Sequence, residues 1–113
     1  MTQIFHNPRC GKSRSTLKLL EEKGESVKIV EYLKTNLSKK ELAEIIDMLS
    51  ISPLELIRKG ESIFKEQYKG KELTDEEWID AMIKNPILIE RPIVVKDGKA
   101  AIGRPPEQVL DIL

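Results

Sequence analysis

Within its first thirty residues the chain changes hydrophobic period twice, and this restricts the folds open to it more than any other feature. Ile4-Phe5 reads as the end of a short buried strand, and His6-Asn7-Pro8-Arg9-Cys10-Gly11 as the loop that follows. Ser13 to Lys23 reads as a helix, with Thr16, Leu17 and Leu20 at helical spacing and Gly24 as its stop. Val27, Ile29 and Val30 then return to a strand. Strand, helix and strand in so short a span predict a right-handed parallel crossover.

The middle of the chain predicts helices. Ser38-Lys39-Lys40-Glu41, Ser52-Pro53-Leu54-Glu55 and Thr74-Asp75-Glu76-Glu77 each match a capping box, in which hydroxyl and carboxylate satisfy orphan backbone donors reciprocally. Apolar stripes follow them: Leu42, Ile45, Ile46 and Leu49, then Leu54 and Ile57, then Trp78, Ile79, Met82 and Ile83. Residues 59–71 carry few signals beyond Ile63, Phe64 and Tyr68 and read as a helical connector. In the last third the period returns to two. Pro92 to Lys96, Asp97-Gly98 and Lys99 to Ile102 predict a hairpin with a two-residue turn, and Glu107 to Leu113 a closing helix. The order βαβ, helical excursion, ββ, α fits a four-stranded mixed sheet covered by helices, the thioredoxin/glutaredoxin-like α/β arrangement. We expect residues 1–113 to form one such domain, with a helical insertion at about 38–84.

At 113 residues the chain can bury roughly two-thirds of its unfolded surface. Lys plus Arg equals Asp plus Glu at 19 each, which argues against a nucleic-acid binder, since those carry a basic excess. No apolar run approaches a membrane span, and the start MTQIFHNPRC lacks the architecture of a signal peptide, so we expect a cytoplasmic protein without membrane partners. One cysteine cannot build a disulfide scaffold, and a single Cys with a single His leaves no ligand set for zinc.

That cysteine, Cys10, falls where strand gives way to helix, with Arg9, Lys12 and Arg14 close in sequence. Cations and a helix N-terminus both favour the thiolate, the form of sulfur that attacks. An inert buried thiol is the competing reading; the loop setting and the adjacent charges favour a nucleophile. His6 has two readings from the residues alone: it activates the thiol, or it bonds backbone in a tight turn. With no second cysteine, any disulfide chemistry must be completed by sulfur from another molecule.

Four of the five arginines lie in or beside junctions marked by Pro or Gly: Arg9, Arg58, Arg91 and Arg104. Guanidinium offers a rigid donor fork matched to oxyanions. Junctions of an α/β sheet commonly converge at one end, where ligands bind. We therefore expect Arg58, Arg91 and Arg104 to face a tetrahedral oxyanion beside Cys10. Familiar motifs fail. Gly11-Lys12-Ser13 lacks the first glycine of a phosphate loop, whose place is held by His6. Thr16 holds the position where a cysteine phosphatase needs arginine, and Ser13 replaces the second thiol of a Cys-x-x-Cys motif.

His6 to Arg14, Asn85-Pro86-Ile87-Leu88-Ile89-Glu90-Arg91-Pro92-Ile93-Val94 and Gly103-Arg104-Pro105, in that order and spacing, resemble the glutaredoxin-coupled arsenate reductase family over essentially the whole chain. The resemblance implies that Cys10 attacks arsenate, that Arg58, Arg91 and Arg104 hold the oxyanion, and that His6 favours the thiolate. It implies a cis-proline at Pro92. Arg9, Lys12, Ser13 and Arg14 are secondary site candidates. The implied partners are arsenate or another small oxyanion, glutathione as co-substrate and glutaredoxin, with no bound cofactor. Two rivals share the fold: a glutathione-dependent thiol-disulfide reductase, and a non-enzymatic regulator that binds RNA polymerase. Such regulators usually carry the Cys-x-x-Cys switch that Ser13 removes here.

Overall fold

The computed structural model describes residues 2–35 and 37–113, which fall into two compact units. The first unit joins the chain up to Thr35 to Arg91–Leu113. It contains strands β1 (Thr2–Phe5), β2 (Val27–Val30), β3 (Ile93–Lys96) and β4 (Lys99–Ile102), and helix α1 (Gly11–Glu22). The sheet order is β2-β1-β3-β4. β1 pairs parallel with β2, Ile4 opposite Ile29, as the crossover through α1 requires. β3 runs antiparallel to both β1 and β4, Val94 lying between Ile4 and Ala101. This is the mixed, thioredoxin-like sheet that the element order predicts.

Its core is small and draws one residue from each of four elements spread along the chain. Ile4, Leu20, Val94 and Val109 are fully buried together, with Leu17, Val27 and Ile112 packed against them. The hairpin turn follows from its dipeptide: Asp97 and Gly98 have φ of 49° and 76°, the pair of left-handed conformations that a type I′ turn demands. Two boundaries differ from expectation. α1 starts at Gly11 rather than Ser13, because Cys10 itself takes the extended cap conformation. The closing element is a 3-10 helix, Pro106–Ile112. At three residues per turn Val109 and Ile112 eclipse one another, which puts both apolar side chains on the core.

The second unit, residues 37–90, is mostly helical: α2 (Lys39–Leu49), α3 (Ser62–Gln67) and α4 (Asp75–Lys84), with 3-10 turns at Pro53–Leu56 and Pro86–Leu88. The boxes at Ser38 and Thr74 cap α2 and α4: Ser38 Oγ accepts from Glu41 N–H at 3.1 Å and Thr74 Oγ1 from Glu77 N–H at 3.2 Å. The box at Ser52 opens only a single 3-10 turn, and Ile57 leaves the expected helical stripe to bridge Ile89 in antiparallel fashion. Arg58 N–H donates to Leu88 O at 2.7 Å and Glu90 N–H to Leu56 O at 2.9 Å, so nonlocal pairing ends the turn. The connector at 59–71 places Phe64 and Tyr68 against Trp78, ring centroids 6.1–6.4 Å apart. Among the described residues no helix is long and apolar enough to cross a membrane.

Candidate active site

Strand direction builds the site. β1 ends where β3 begins, and β4 returns to that same edge, so Cys10, Arg91 and Arg104 arrive together from three parts of the first unit. His6 N–H still donates to Val30 O at 2.8 Å, which extends the sheet one residue past Phe5 before the chain turns. Asn7 then shapes the loop: its carbonyl accepts from Cys10 N–H at 3.0 Å and its Oδ1 from Arg9 N–H at 3.0 Å. Cys10 occupies the N-cap of α1, and no side chain caps that end. The free donors of the first turn are therefore available to sulfur.

Arg104 Nη1 lies 3.7 Å from Cys10 Sγ and donates to Arg91 O at 3.1 Å. Burial pushes the Cys10 thiol up. Hydrogen bonds from Ser13 N–H, the Arg91 and Arg104 guanidinium groups and Lys12 N–H outweigh it, so the thiol titrates below the ordinary cysteine range. The cations beside Cys10 in sequence play a different part. Arg9, Lys12 and Arg14 are exposed at the rim; the Arg14 guanidinium donates to Pro8 O at 2.9 Å, and Lys12 acts on sulfur through its backbone.

His6 is buried, and its partner is neither sulfur nor backbone: Nδ1 lies 2.6 Å from Ser13 Oγ. The same hydroxyl accepts from Asn7 N–H at 3.1 Å. Burial lowers the His6 pKa, Glu31 opposes that, and Arg14 adds to it, leaving a neutral imidazole near pH 7. Ser13, which occupies the place of a second thiol in redox motifs, instead ties the loop to the helix. The peptide bond before Pro92 is cis, and so is the one before Pro105, which the sequence reading did not single out.

Arg58 belongs to the second unit. There its Nε lies 3.6 Å from Glu61 and 3.9 Å from Glu90, and its buried Nη1 has no hydrogen-bond partner among the described residues. No group of three His, Cys, Asp or Glu side chains among the described residues is placed to hold a metal ion. Sequence reasoning also passed over Thr16 and Gly103 as site residues. Thr16 is buried on α1, its hydroxyl 3.5 Å from Gly103 O; the one available signal was a hydroxyl residue in an apolar helical stripe.

Comparison with known proteins adds a consistent picture. The model of the ArsC family matches residues 5–112. The uncharacterized protein YfgD of Escherichia coli K12 is 49% identical over 98% of this chain and 95% of its own length. An arsenate reductase of Neisseria meningitidis is 40% identical over 98% and 97%. The solved structure of an arsenate reductase from Vibrio cholerae superposes with a TM-score of 0.95 at 45% identity, covering 99% of this chain and 97% of the other.

Proposed function

The chain belongs to the ArsC family, and on that footing we propose that it reduces arsenate to arsenite through Cys10. The observation that carries this reading is the convergence on one sulfur of two guanidinium groups and the free amides of a helix end. Such a site does two things at once. It holds sulfur as thiolate, and it offers donors to an oxyanion held against that sulfur. Each well-placed donor is worth about 3 kcal/mol in comparable sites. An oxyanion role for Arg58 rests on the family resemblance alone.

In the proposed sequence, Cys10 thiolate displaces an oxygen of As(V), which leaves as water or hydroxide, and an S–As bond forms. Glutathione thiolate displaces a second oxygen. That oxygen also leaves as water or hydroxide; two electrons then pass to arsenic as both S–As bonds break and an S–S bond forms, and the released As(III) takes up water to give arsenite. The mixed disulfide of Cys10 with glutathione is returned to thiol by glutaredoxin. An external thiol is required because the chain contains one cysteine.

The test is arsenite production with glutathione and glutaredoxin, wild type against Cys10→Ser. We expect the variant to be inactive; equal rates would eliminate the mechanism. Turnover of a glutathionylated peptide without arsenate turnover would assign the thiol-disulfide reductase. Turnover of neither, with RNA polymerase retained by the immobilised protein, would assign the regulator.

A further inference from the structure

We propose that Gly103 and Thr16 form a positioning pair that sets Arg104 and Arg91 against the Cys10 sulfur. Gly103 is buried and immediately precedes Arg104. A Cβ built on it would lie 2.8 Å from Pro92 Cγ and 3.0 Å from Thr16 Cγ2, and closer still to Thr16 Oγ1. No side chain larger than hydrogen fits without movement of one of those neighbours. The Gly103 N–H donates to Pro92 O at 2.9 Å. Thr16 is fully buried; its hydroxyl donates to Lys12 O at 2.8 Å and lies 3.5 Å from Gly103 O.

Three segments therefore meet at one point without slack. Helix α1 carries Cys10 at its cap, the residue before Pro92 is Arg91, and the residue after Gly103 is Arg104. Each guanidinium sits on the residue next to the contact, so a shift of a few tenths of an ångström there is passed to it directly. The Arg104–sulfur distance, at 3.7 Å, is already long and has little tolerance for further separation. Thr16 serves by shape as well as by bonding. Its hydroxyl spends its proton on α1, which leaves its β-branched body as a fixed wall for Gly103.

The inference rests on Cys10 as the nucleophile but not on what Cys10 attacks, so its test uses no substrate. The pH dependence of Cys10 alkylation by iodoacetamide is measured on the full chain, alongside thermal stability. Gly103→Ala is expected to move the alkylation midpoint upward by about half a unit or more. Adding Thr16→Ala, which removes Oγ1 and Cγ2 from the contact, is expected to return part of that shift even as stability falls further. Val109→Ala, a cavity in the core of the same unit, is expected to lower stability and leave the midpoint in place. An unmoved midpoint in Gly103→Ala, or an equal shift in Val109→Ala, would overturn the pair as a positioning device. If Gly103→Ala does not fold, Thr16→Val carries the test: it replaces the hydroxyl with a bulkier methyl against Gly103, and an unmoved midpoint there overturns the proposal equally. Absence of arsenate turnover with these shifts present would discard the substrate and keep the pair. Full turnover with no shifts would do the reverse.

Discussion

The two units bury different kinds of side chain. In the helical unit the residues withdrawn from solvent are apolar: Leu42, Ile45, Leu56, Phe64, Trp78, Met82 and Leu88 among them. The polar residues buried among those described, Thr2, His6, Asn7, Ser13 and Thr16, all lie in the strand unit, and four of them lie within six residues of Cys10. Burying a hydroxyl, amide or imidazole is unfavourable unless its hydrogen bonds are met. Around Cys10 they are met by one another, by the loop backbone and, for Thr16, by Lys12 O of α1; Thr2 bonds Glu25 instead. The contrast separates two tasks: apolar burial holds a unit together, and buried polar networks fix the position of reacting atoms.

The strongest way to break that contrast is Trp78→Ala. Losing the largest ring of the Phe64–Tyr68–Trp78 cluster is expected to cost about 3–5 kcal/mol of stability, read by urea denaturation, while Cys10 alkylation keeps its wild-type pH dependence. A shifted thiol titration would show that the helical unit does more than pack. Next in size is Arg104→Ala, which is expected to slow the chemical step by about a hundredfold, or ~3 kcal/mol, and to raise the alkylation midpoint. Urea stability should hardly change. Ser13→Ala comes third: it leaves Asn7 N–H and His6 Nδ1 without their shared oxygen and is expected to cost about 1–3 kcal/mol. Equal urea midpoints for this variant and wild type would mean that the polar loop contributes nothing to stability.

The smallest effect concerns the far end of the sheet. Thr2 Oγ1 donates to Glu25 Oε1 at 2.6 Å, and Lys96 Nζ reaches both carboxylate oxygens at 2.9 and 3.1 Å. The Thr2 hydroxyl first, then Lys96, holds the Glu25 carboxyl below its ordinary range. The folded chain thus binds that proton more weakly than the unfolded one. The contribution is fully present above the ordinary glutamate value and is lost as pH falls through the depressed one. Denaturation of wild type and Glu25→Gln should differ at neutral pH and converge in acid; a gap independent of pH would assign the difference to packing.

What could be read from the chain alone was whatever is decided locally. Asp97-Gly98 specifies its turn by the conformations those two residues tolerate, and Ser38 and Thr74 announce helix starts because their partners lie three residues away. Contacts between distant residues left no such mark. Ile57 pairs with Ile89, and Thr16 meets Gly103 across most of the chain, so neither had a periodic signature. The arginine junctions were visible, but their grouping depends on strand direction. It brings Arg91 and Arg104 to sulfur while assigning Arg58 to the other unit. His6 turned on geometry, since only coordinates show Ser13 as its partner.

The hairpin tip at Asp97-Gly98 is exposed and closes the ends of β3 and β4 opposite those that lead to Arg91 and Arg104. A four-residue strand spans about 13 Å, and lengthening a surface loop adds little to its closure entropy. Foreign sequence spliced between these two residues, such as an affinity tag or a fluorophore acceptor peptide, would therefore be carried at arm's length from the chemistry. The first unit has a natural handle at the end of its sheet away from Cys10.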